Sequence, residues 1–555
     1  MSGVLPVKAQ CLPFAKIPHT TRLFTDFLSY SPGSPSVRHF YPHSPYFREW
    51  MQSESLALGY DPARRECVSG ILERQNKTWG ASSQTLSNLA RFRNGAAATV
   101  TGQQVGLFGG PMFSIYKALS SVKLAEEASA AGIDAVPIFW LATYDHDLAE
   151  VNHVSLPGPD GVLRTLATSS HGIPGAPVSE VKLGDEILPV IDEATSLLGD
   201  SEATQILRET YRPGETLGTA FARFYARLFA PWGVIILDAS DPALHRVAAP
   251  IYRAAVERAG DLAEAIIARG KDLEAAGYHQ QVKVTPASVL LFTLQNGVRT
   301  PIQRRSSSGS SDGYAEFVIA GEVESEKLSK DELLDRIAAT PENFSPNVLL
   351  RPVVEDYLLP TLAYAGGAAE AAYFAQAGAV YEKILGRVTP IVPRFSATLV
   401  EPKLQRWLRQ YEITVLDALQ GADALRHTLA ARTLPSDLQA ALDRATKSVE
   451  ESFSSLRDSL AKLDSTLVDA AETGASKVRY QLDRLRERAM AAELRRSEVV
   501  GRHAEALSQA LYPGNALQER GIAGVYYLAR HGSELPKNIY DSIHTDCLDH
   551  QVIEI

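Results

Sequence analysis

The stretch from Thr101 to Pro111 carries four glycines, Gly102, Gly106, Gly109 and Gly110, between an apolar run and a helical pattern, and it limits the fold more than any other segment. Ala96 to Val100 is small and β-branched, as a parallel strand covered on both faces requires. From Pro111 onward, Met112, Ile115, Ala118, Leu119, Val122 and Ala125 recur at three- and four-residue spacing, which predicts a helix starting near Pro111 or Ser114. Ala135 to Leu141 is then continuously apolar and reads as a second buried strand. Strand, glycine turn, helix and strand make a βαβ half of a Rossmann-like sheet. In such sheets ligands bind beyond the carboxyl ends of the strands, which is where Asp145, His146 and Asp147 fall.

Glycine lets backbone amides approach an anion without Cβ obstruction, and a helix N-terminus adds partial positive charge. Gly106, Gly109 and Gly110 are therefore expected to cradle a nucleotide phosphate, with Lys117 as a point charge one turn into the helix. The spacing matches neither the dinucleotide fingerprint nor a Walker loop. Gln103 and Gln104 are candidate hydrogen-bonding partners of a polar substrate, with turn closure as the plainer role. Asp145, His146 and Asp147, with Glu150, Asn152 and His153, can supply a general base with a carboxylate orienting the imidazole. The same residues suit an Asp/His/His metal site or a capped strand end. Gly366, Gly367 and Glu370 form a second candidate contact, for an anion or an amine. Gly514, Asn515 and Gln518, beside Pro513 and Arg520, are a third, for nucleotide, against a helix cap as the alternative.

A chain of 555 residues predicts two or three domains. Its 45% hydrophobic and 22% charged residues are those of a globular protein, and the net charge of −10 argues against a general nucleic-acid binder. Cys11, Cys67 and Cys547 are scattered without a CxxC pair, which fits a reducing cytoplasm and excludes a thiolate zinc site. Residues 1–30 lack the pattern of a signal peptide. Leu362 to Tyr381, rich in Ala and Gly but carrying Glu370 and Gln376, reads as tightly packed helix rather than a membrane span.

The predicted core spans residues 1–400, with insertions at about 155–215 and 278–340. Val234 to Asp238 is another buried strand ending in an acid, and Asn296-Gly297 marks a hairpin. The stretch from Ser306 to Gly313 is polar and expected to be mobile. Lys327 to Lys330 superficially resembles a synthetase lysine loop, but Ser329 and Glu332 make a capping box. Residues 401–510 are helical. Phe453, Leu456, Leu460, Leu463 and Leu467 form one coiled-coil seam and Val478, Leu482, Leu485 and Ala489 another. The phase break at Asp464-Ser465-Thr466 predicts an antiparallel hairpin whose exposed seam suits a homodimer. Residues 511–555 are expected to pack back on the core.

Taken in order, several motifs resemble those of the cysteine ligase family of bacillithiol biosynthesis, BshC. They are Thr101 to Gln104 with Gly106 to Pro111 and Tyr116 to Ala118, then Asp145 to Asp147 with Glu150, Asn152 and His153. Arg351-Pro352 with Tyr357 to Thr361, Gly366-Gly367 with Glu370, and Leu517 to Arg520 complete the set. Two positions depart from the family pattern: Tyr144 replaces an acid or small residue, and Asp464-Ser465 replaces Asp-Pro. The resemblance implies an α/β, Rossmann-like parallel-sheet core with connecting-peptide insertions and a long α-helical coiled coil pairing two subunits. It also implies amide ligation of cysteine to glucosaminyl-malate, with ATP-Mg activating the carboxylate. Besides this ligase, the residues admit a metal-dependent hydrolase or transferase built on the Asp-His-Asp cluster, and a non-catalytic nucleotide-binding coiled-coil scaffold.

Overall fold

The computed structural model describes residues 9–31, 35–169, 172–305, 316–320, 325–496 and 498–555. The polar stretch 306–313 lies outside them. The chain divides into two compact units, Met1–Ala397 with Glu519–Gln551, and Thr398–Gln518 with Val552–Ile555. The chain thus rejoins the first unit at Glu519 rather than near residue 511.

At the centre of the first unit is a parallel sheet of β1 (Ala97–Gln103), β2 (Ala135–Leu141), β3 (Ile235–Asp238), β4 (Thr361–Gly366) and β5 (Ile391–Pro393), in the order β5-β4-β1-β2-β3. Every neighbouring pair is parallel. β2, β4 and β5 are buried along their whole length, which is why their sequences are continuous apolar runs rather than alternating ones. Helix α1 (Met112–Ala130) returns the chain from β1 to β2. Thr99 Oγ1 donates to the Ser121 carbonyl at 2.8 Å and Ser121 Oγ to the Thr99 carbonyl at 2.6 Å, a reciprocal tie between β1 and α1 that satisfies both buried hydroxyls. The first ninety residues are more than a lead-in: Phe47, Trp50 and Met51 share a core cluster with Ala97, Leu124, Ala128 and Leu362.

The two insertions form their own small sheets. Strands His153–Pro157 and Leu163–Ala167 make an antiparallel ribbon. A five-stranded antiparallel sheet runs Glu326–Leu328, Glu316–Ile319, Val298–Arg305, Ser288–Gln295, Phe344–Pro346, so it extends beyond residue 340. Its hairpin turns at Asn296 and Gly297, with φ of 52° and 80°, the left-handed pair that a two-residue turn demands. Ser329 caps the helix Lys330–Ala339, and the reciprocal bond to Glu332 makes the expected capping box. Helix α2 (Arg351–Leu358) precedes β4 and helix α3 (Ala368–Ile384) follows it, so the stretch expected to be packed helix from Leu362 to Tyr381 is strand as far as Gly366 and helix only from Ala368. No helix of the described residues is long and apolar enough to cross a membrane. Cys11 and Cys547, 536 residues apart in sequence, are paired as a disulfide, whereas Cys67 is free and exposed.

The second unit is helical. Its longest elements, α4 (Ser436–Leu463) and α5 (Leu467–Arg496), pack as a hairpin, with Arg486 bonding Asp443 at 2.7 Å. α4 stops at Asp464, whose Oδ1 accepts from the Thr466 amide at 2.9 Å and its hydroxyl at 2.8 Å. Phe453 lies over Gly474, where a Cβ would come within 3.1 Å of the ring, so a larger residue there requires the ring to give way. Leu456, Leu463 and Leu485 remain 51%, 79% and 54% exposed.

Candidate functional site

The strand order reverses between β1 and β4, so the crevice at their carboxyl ends is the topological switch point where open α/β sheets bind ligands. Lys117 fills the floor of that crevice. Its Nζ donates to the Gly102 carbonyl at 2.6 Å and Gln103 Oε1 at 2.9 Å, and pairs with Glu370 Oε2 at 2.7 Å. An ammonium has three donors, and these contacts use all of them. Burial lowers the Lys117 pKa to about 8 against the pull of Glu370, with Arg394 and Arg351 adding to the fall. Burial alone would raise Glu370, but Lys117, the Gly367 amide at 2.8 Å and the Tyr364 hydroxyl at 2.6 Å hold its carboxyl below the ordinary range. Gln103 from the end of β1, and Gly367 and Glu370 from the start of α3, are therefore brought together around one buried lysine. Lys117 itself does not reach out to meet a ligand charge.

The glycine turn takes a form that the sequence did not suggest. The Gly109 amide donates to the Tyr211 hydroxyl at 2.9 Å, the Gly110 amide to the Leu107 carbonyl at 3.0 Å, and the Gly106 amide to the Gln104 carbonyl at 3.1 Å. At the start of α1 the Met112 amide donates to the Ile522 carbonyl at 2.9 Å. The phosphate cradle expected of Gly106, Gly109 and Gly110 is thus closed by internal partners. The glycines are needed for packing instead. A Cβ on Gly106 would lie 2.9 Å from the Gly110 Cα, and one on Gly109 would lie 2.7 Å from the Phe224 ring, with φ of +86° adding strain.

On the other side of β1, Asp145 organises the strand end. Its Oδ2 accepts from Gln104 Nε2 at 2.8 Å and its Oδ1 from the His146 backbone amide at 2.8 Å. Asp145 Oδ1 also lies 3.5 Å from His146 Nδ1, but it is not the nearest group to that nitrogen. Arg299, from the hairpin of the second insertion, reaches His146 Nδ1 at 3.1 Å and is itself fixed by Ser345 Oγ at 2.9 Å and the Pro346 carbonyl at 2.8 Å. Its guanidinium lies 3.9 Å from the Phe292 ring centroid and pairs with Asp145 Oδ1 at 3.7 Å. A guanidinium can only donate, so Nδ1 accepts and the neutral imidazole carries its proton on Nε2. The expected carboxylate, Asp145, does stand beside the imidazole, but the hydrogen bond to Nδ1 comes from an arginine 153 residues away, which leaves the open nitrogen as a donor rather than a base. Asp147 is exposed and its side chain caps no helix amide. Asn152 is half-buried and His153 exposed at the start of the ribbon, and among the described residues no hydrogen bond or ion pair joins either side chain to the Asp-His-Asp cluster. No group of three His, Cys, Asp or Glu among the described residues is arranged to hold a metal ion, so the metal-dependent reading finds no preassembled ligand set there.

Replacing Arg299 with Met removes the donor that makes Nδ1 an acceptor and leaves Asp145 Oδ1 as its neighbour. Long-range nitrogen-15 NMR on His146 is expected to show a single Nε2-protonated ring in the parent protein and a mixture of tautomers in Arg299→Met. A parent spectrum with the proton on Nδ1 would overturn the arrangement.

Between the two halves of the crevice stands Arg351 at the start of α2, hydrogen-bonded to the Tyr373 hydroxyl and close enough to lower the pKa of both Lys117 and Arg299. Glu355, one turn on, is driven well above the ordinary carboxylate range by burial and by Asp356, against the pull of Arg351. Arg394 follows β5. It pairs with Glu519 at 2.6 Å, with side chains 5% and 1% exposed, and donates to the Phe395 carbonyl at 2.7 Å. Arg299 and Arg394 carry no signal in their local sequence, whereas Arg351 stands in the Arg-Pro motif that the family resemblance already marked. In the second unit, Gly514 and Asn515 are exposed in a turn with φ of 59° at both residues. Gln518 is buried, and its amide is used by the Leu399 amide at 2.8 Å and the Leu399 and Ala510 carbonyls at 2.9 and 2.8 Å. That is a structural use of the side chain expected to touch nucleotide.

A Rossmann-like sheet with charged groups gathered at its switch point defines an α/β protein built to act on small polar molecules. Two family models match the chain: the N-terminal Rossmann-like domain of bacillithiol biosynthesis BshC over residues 7–395, and the C-terminal coiled-coil domain of the same family over residues 397–555. The chain belongs to the BshC family. It is 47% identical over 545 residues to a protein of Koribacter versatilis, covering 98% of this chain and 99% of that one. It is 38% identical over 548 residues to one from Solibacter usitatus, covering 98% and 99%, and 32% identical over 538 residues to one from Salinibacter ruber, covering 95% and 96%. Each of the three bears the name "Putative cysteine ligase BshC".

Proposed function

We propose that this chain is a carbon-nitrogen ligase that joins the carboxyl group of cysteine to the amine of glucosaminyl-malate as the last step of bacillithiol synthesis, using ATP-Mg as co-substrate. The observation that carries this reading is the convergence of Gln103, Lys117, Glu370, Arg351 and Arg394 beside the Gln104, Asp145, His146 and Arg299 network at the switch point.

A carboxylate is a poor acyl donor. Its oxygen must first displace ADP or pyrophosphate from ATP, giving an acyl-phosphate or acyl-adenylate. The amine then attacks the acyl carbon, the C–N bond forms, and the C–O bond to phosphate or AMP breaks. Because the glycine-loop amides are consumed internally, charge on the nucleotide and the acyl group falls to side chains, with Arg351 and Arg394 at hand. His146, held as an Nε2 donor, suits a hydrogen bond to the oxygen that gains charge during attack. Asp147, exposed and uncommitted, suits removal of the ammonium proton, and Gln103, Gln104 and Glu370 shape the polar wall. Asn152 and His153 would meet only the outer part of a sugar acceptor.

The test is the purified full chain with cysteine, glucosaminyl-malate and ATP-Mg, read by mass spectrometry. Bacillithiol with ADP supports the acyl-phosphate route, and with AMP the adenylate route. Folded protein that makes no product overturns the reading. His146→Ala is expected to lower kcat about 10²-fold.

The exposed leucines of the α4/α5 hairpin support a homodimer formed through the coiled coil, since the hairpin alone leaves its seam uncovered. Sedimentation is expected to show a dimer for the parent and a folded monomer for Leu456→Glu combined with Leu485→Glu. An unchanged dimer would move the interface elsewhere.

A further inference from the structure

Three cations gather around the ring of Phe113, on the first turn of α1. Lys117 Nζ lies 5.9 Å from the ring centroid, Arg394 Cζ 5.3 Å and Arg520 Cζ 5.6 Å. Their donors are unequally used. Lys117 has none left. Arg394 spends both terminal nitrogens on Glu519 and the Phe395 carbonyl, but its Nε is buried without a partner. That Nε faces Gly367: a Cβ there would lie 3.3 Å away, so the space beside it exists because residue 367 has no side chain. Arg520 is solvent-exposed, with no hydrogen bond or ion pair to any described residue. Its chain neighbour Glu519 is turned away, engaged by Arg394, Ser396 Oγ at 2.9 Å and the Ala397 amide at 3.1 Å.

The charges do not balance. Glu370 and Glu519 are both held below the ordinary carboxylate range, so two negative charges face three positive ones. Arg520 is the cation with no carboxylate bonded to it: surrounding protein and Arg394 lower its pKa, against the pull of Glu519 and Glu370. An arginine crowded by another cation, with a free planar fork and an unpartnered donor nearby, is unfavourable until an anion arrives. We propose that Arg520, with Arg394 Nε behind it, forms an anion subsite that takes a carboxylate or phosphate oxygen group of a substrate. The identity of that substrate, though not the binding, rests on the ligase reading.

Titration calorimetry on the full chain distinguishes the two sources, with malate as the carboxylate probe and inorganic pyrophosphate as the phosphate probe. At least one is expected to bind, and Arg520→Gln to weaken that probe at least about tenfold. Arg520→Lys recovers only part of the affinity, because an ammonium lacks the fork. Since Arg520 bonds to no described residue, both variants are expected to melt with the parent. Loss confined to malate assigns a carboxylate, and loss confined to pyrophosphate a phosphate. Equal binding of both probes to parent and Arg520→Gln, or no binding of either to the parent, overturns the subsite. Arg520-dependent binding in a protein without ligase turnover would overturn only the ligase reading. Turnover with KM values unaltered by Arg520→Gln would overturn only the subsite.

Discussion

Lys117→Met is expected to destabilise the protein by about 3–5 kcal/mol, because it strands Glu370 in a buried site with its charge uncompensated. The variant also deprives the Gly102 carbonyl and Gln103 of their donor, so the floor of the crevice loses its shape along with its charge. Activity should fall with it, by about 10²-fold or more if the polar wall moves by an ångström. The lysine's depressed pKa shows that its charge is held at a cost, so the pair as a whole need not stabilise the fold. Adding Glu370→Gln to Lys117→Met should therefore restore most of the stability without restoring turnover. Urea denaturation of the single and double variants checks the first statement, and the ligation assay checks the second. A single variant as stable as the parent would mean that Glu370 takes up a proton or finds water without difficulty.

Glu519→Leu is expected to be as damaging, at about 3–5 kcal/mol, for the converse reason: it leaves the Arg394 guanidinium buried and unpaired. The Ser396 hydroxyl and the Ala397 amide lose an acceptor in the same step. Glu519→Gln keeps an acceptor oxygen and should cost less, so the order parent, Gln, Leu in denaturant midpoint is the expected result. Equal midpoints for Gln and Leu would show that charge, and not the hydrogen bonds, sets the whole effect. Equal midpoints for all three would remove the pair from any account of stability.

The elements legible in the sequence are those whose signal is local. The strand from Ala135 to Leu141, the helix after Pro111 and the hairpin at Asn296-Gly297 follow from periodicity, burial on both faces and positive φ, each a property of a few adjacent residues. The break at Asp464 was readable because a side chain there bonds only two residues onward. Family motifs added the region of the site, and Gln103, Gln104, Asp145, His146, Gly367 and Glu370 do meet at the ends of β1, β2 and β4 or in the network beside them.

What those residues do to one another was decided by the tertiary structure. Four glycines look the same in a sequence whether their amides face a phosphate or a tyrosine, and here Tyr211, Phe224 and Ile522 from distant segments close the loop. A lysine one turn into a helix reads as a free charge until Glu370, 253 positions later, consumes it. The direction in which His146 offers its proton depends on Arg299, on an antiparallel insertion whose local sequence marks a hairpin and nothing more. Periodicity records the short-range preferences of the backbone and the sidedness of burial, so the sequence alone determined the Rossmann-like core and the helical hairpin. Hydrogen-bond direction, charge balance and pKa arise from groups that meet only when the chain has folded, so which side chains of the crevice are spent and which remain to meet a ligand is set by contacts between distant segments.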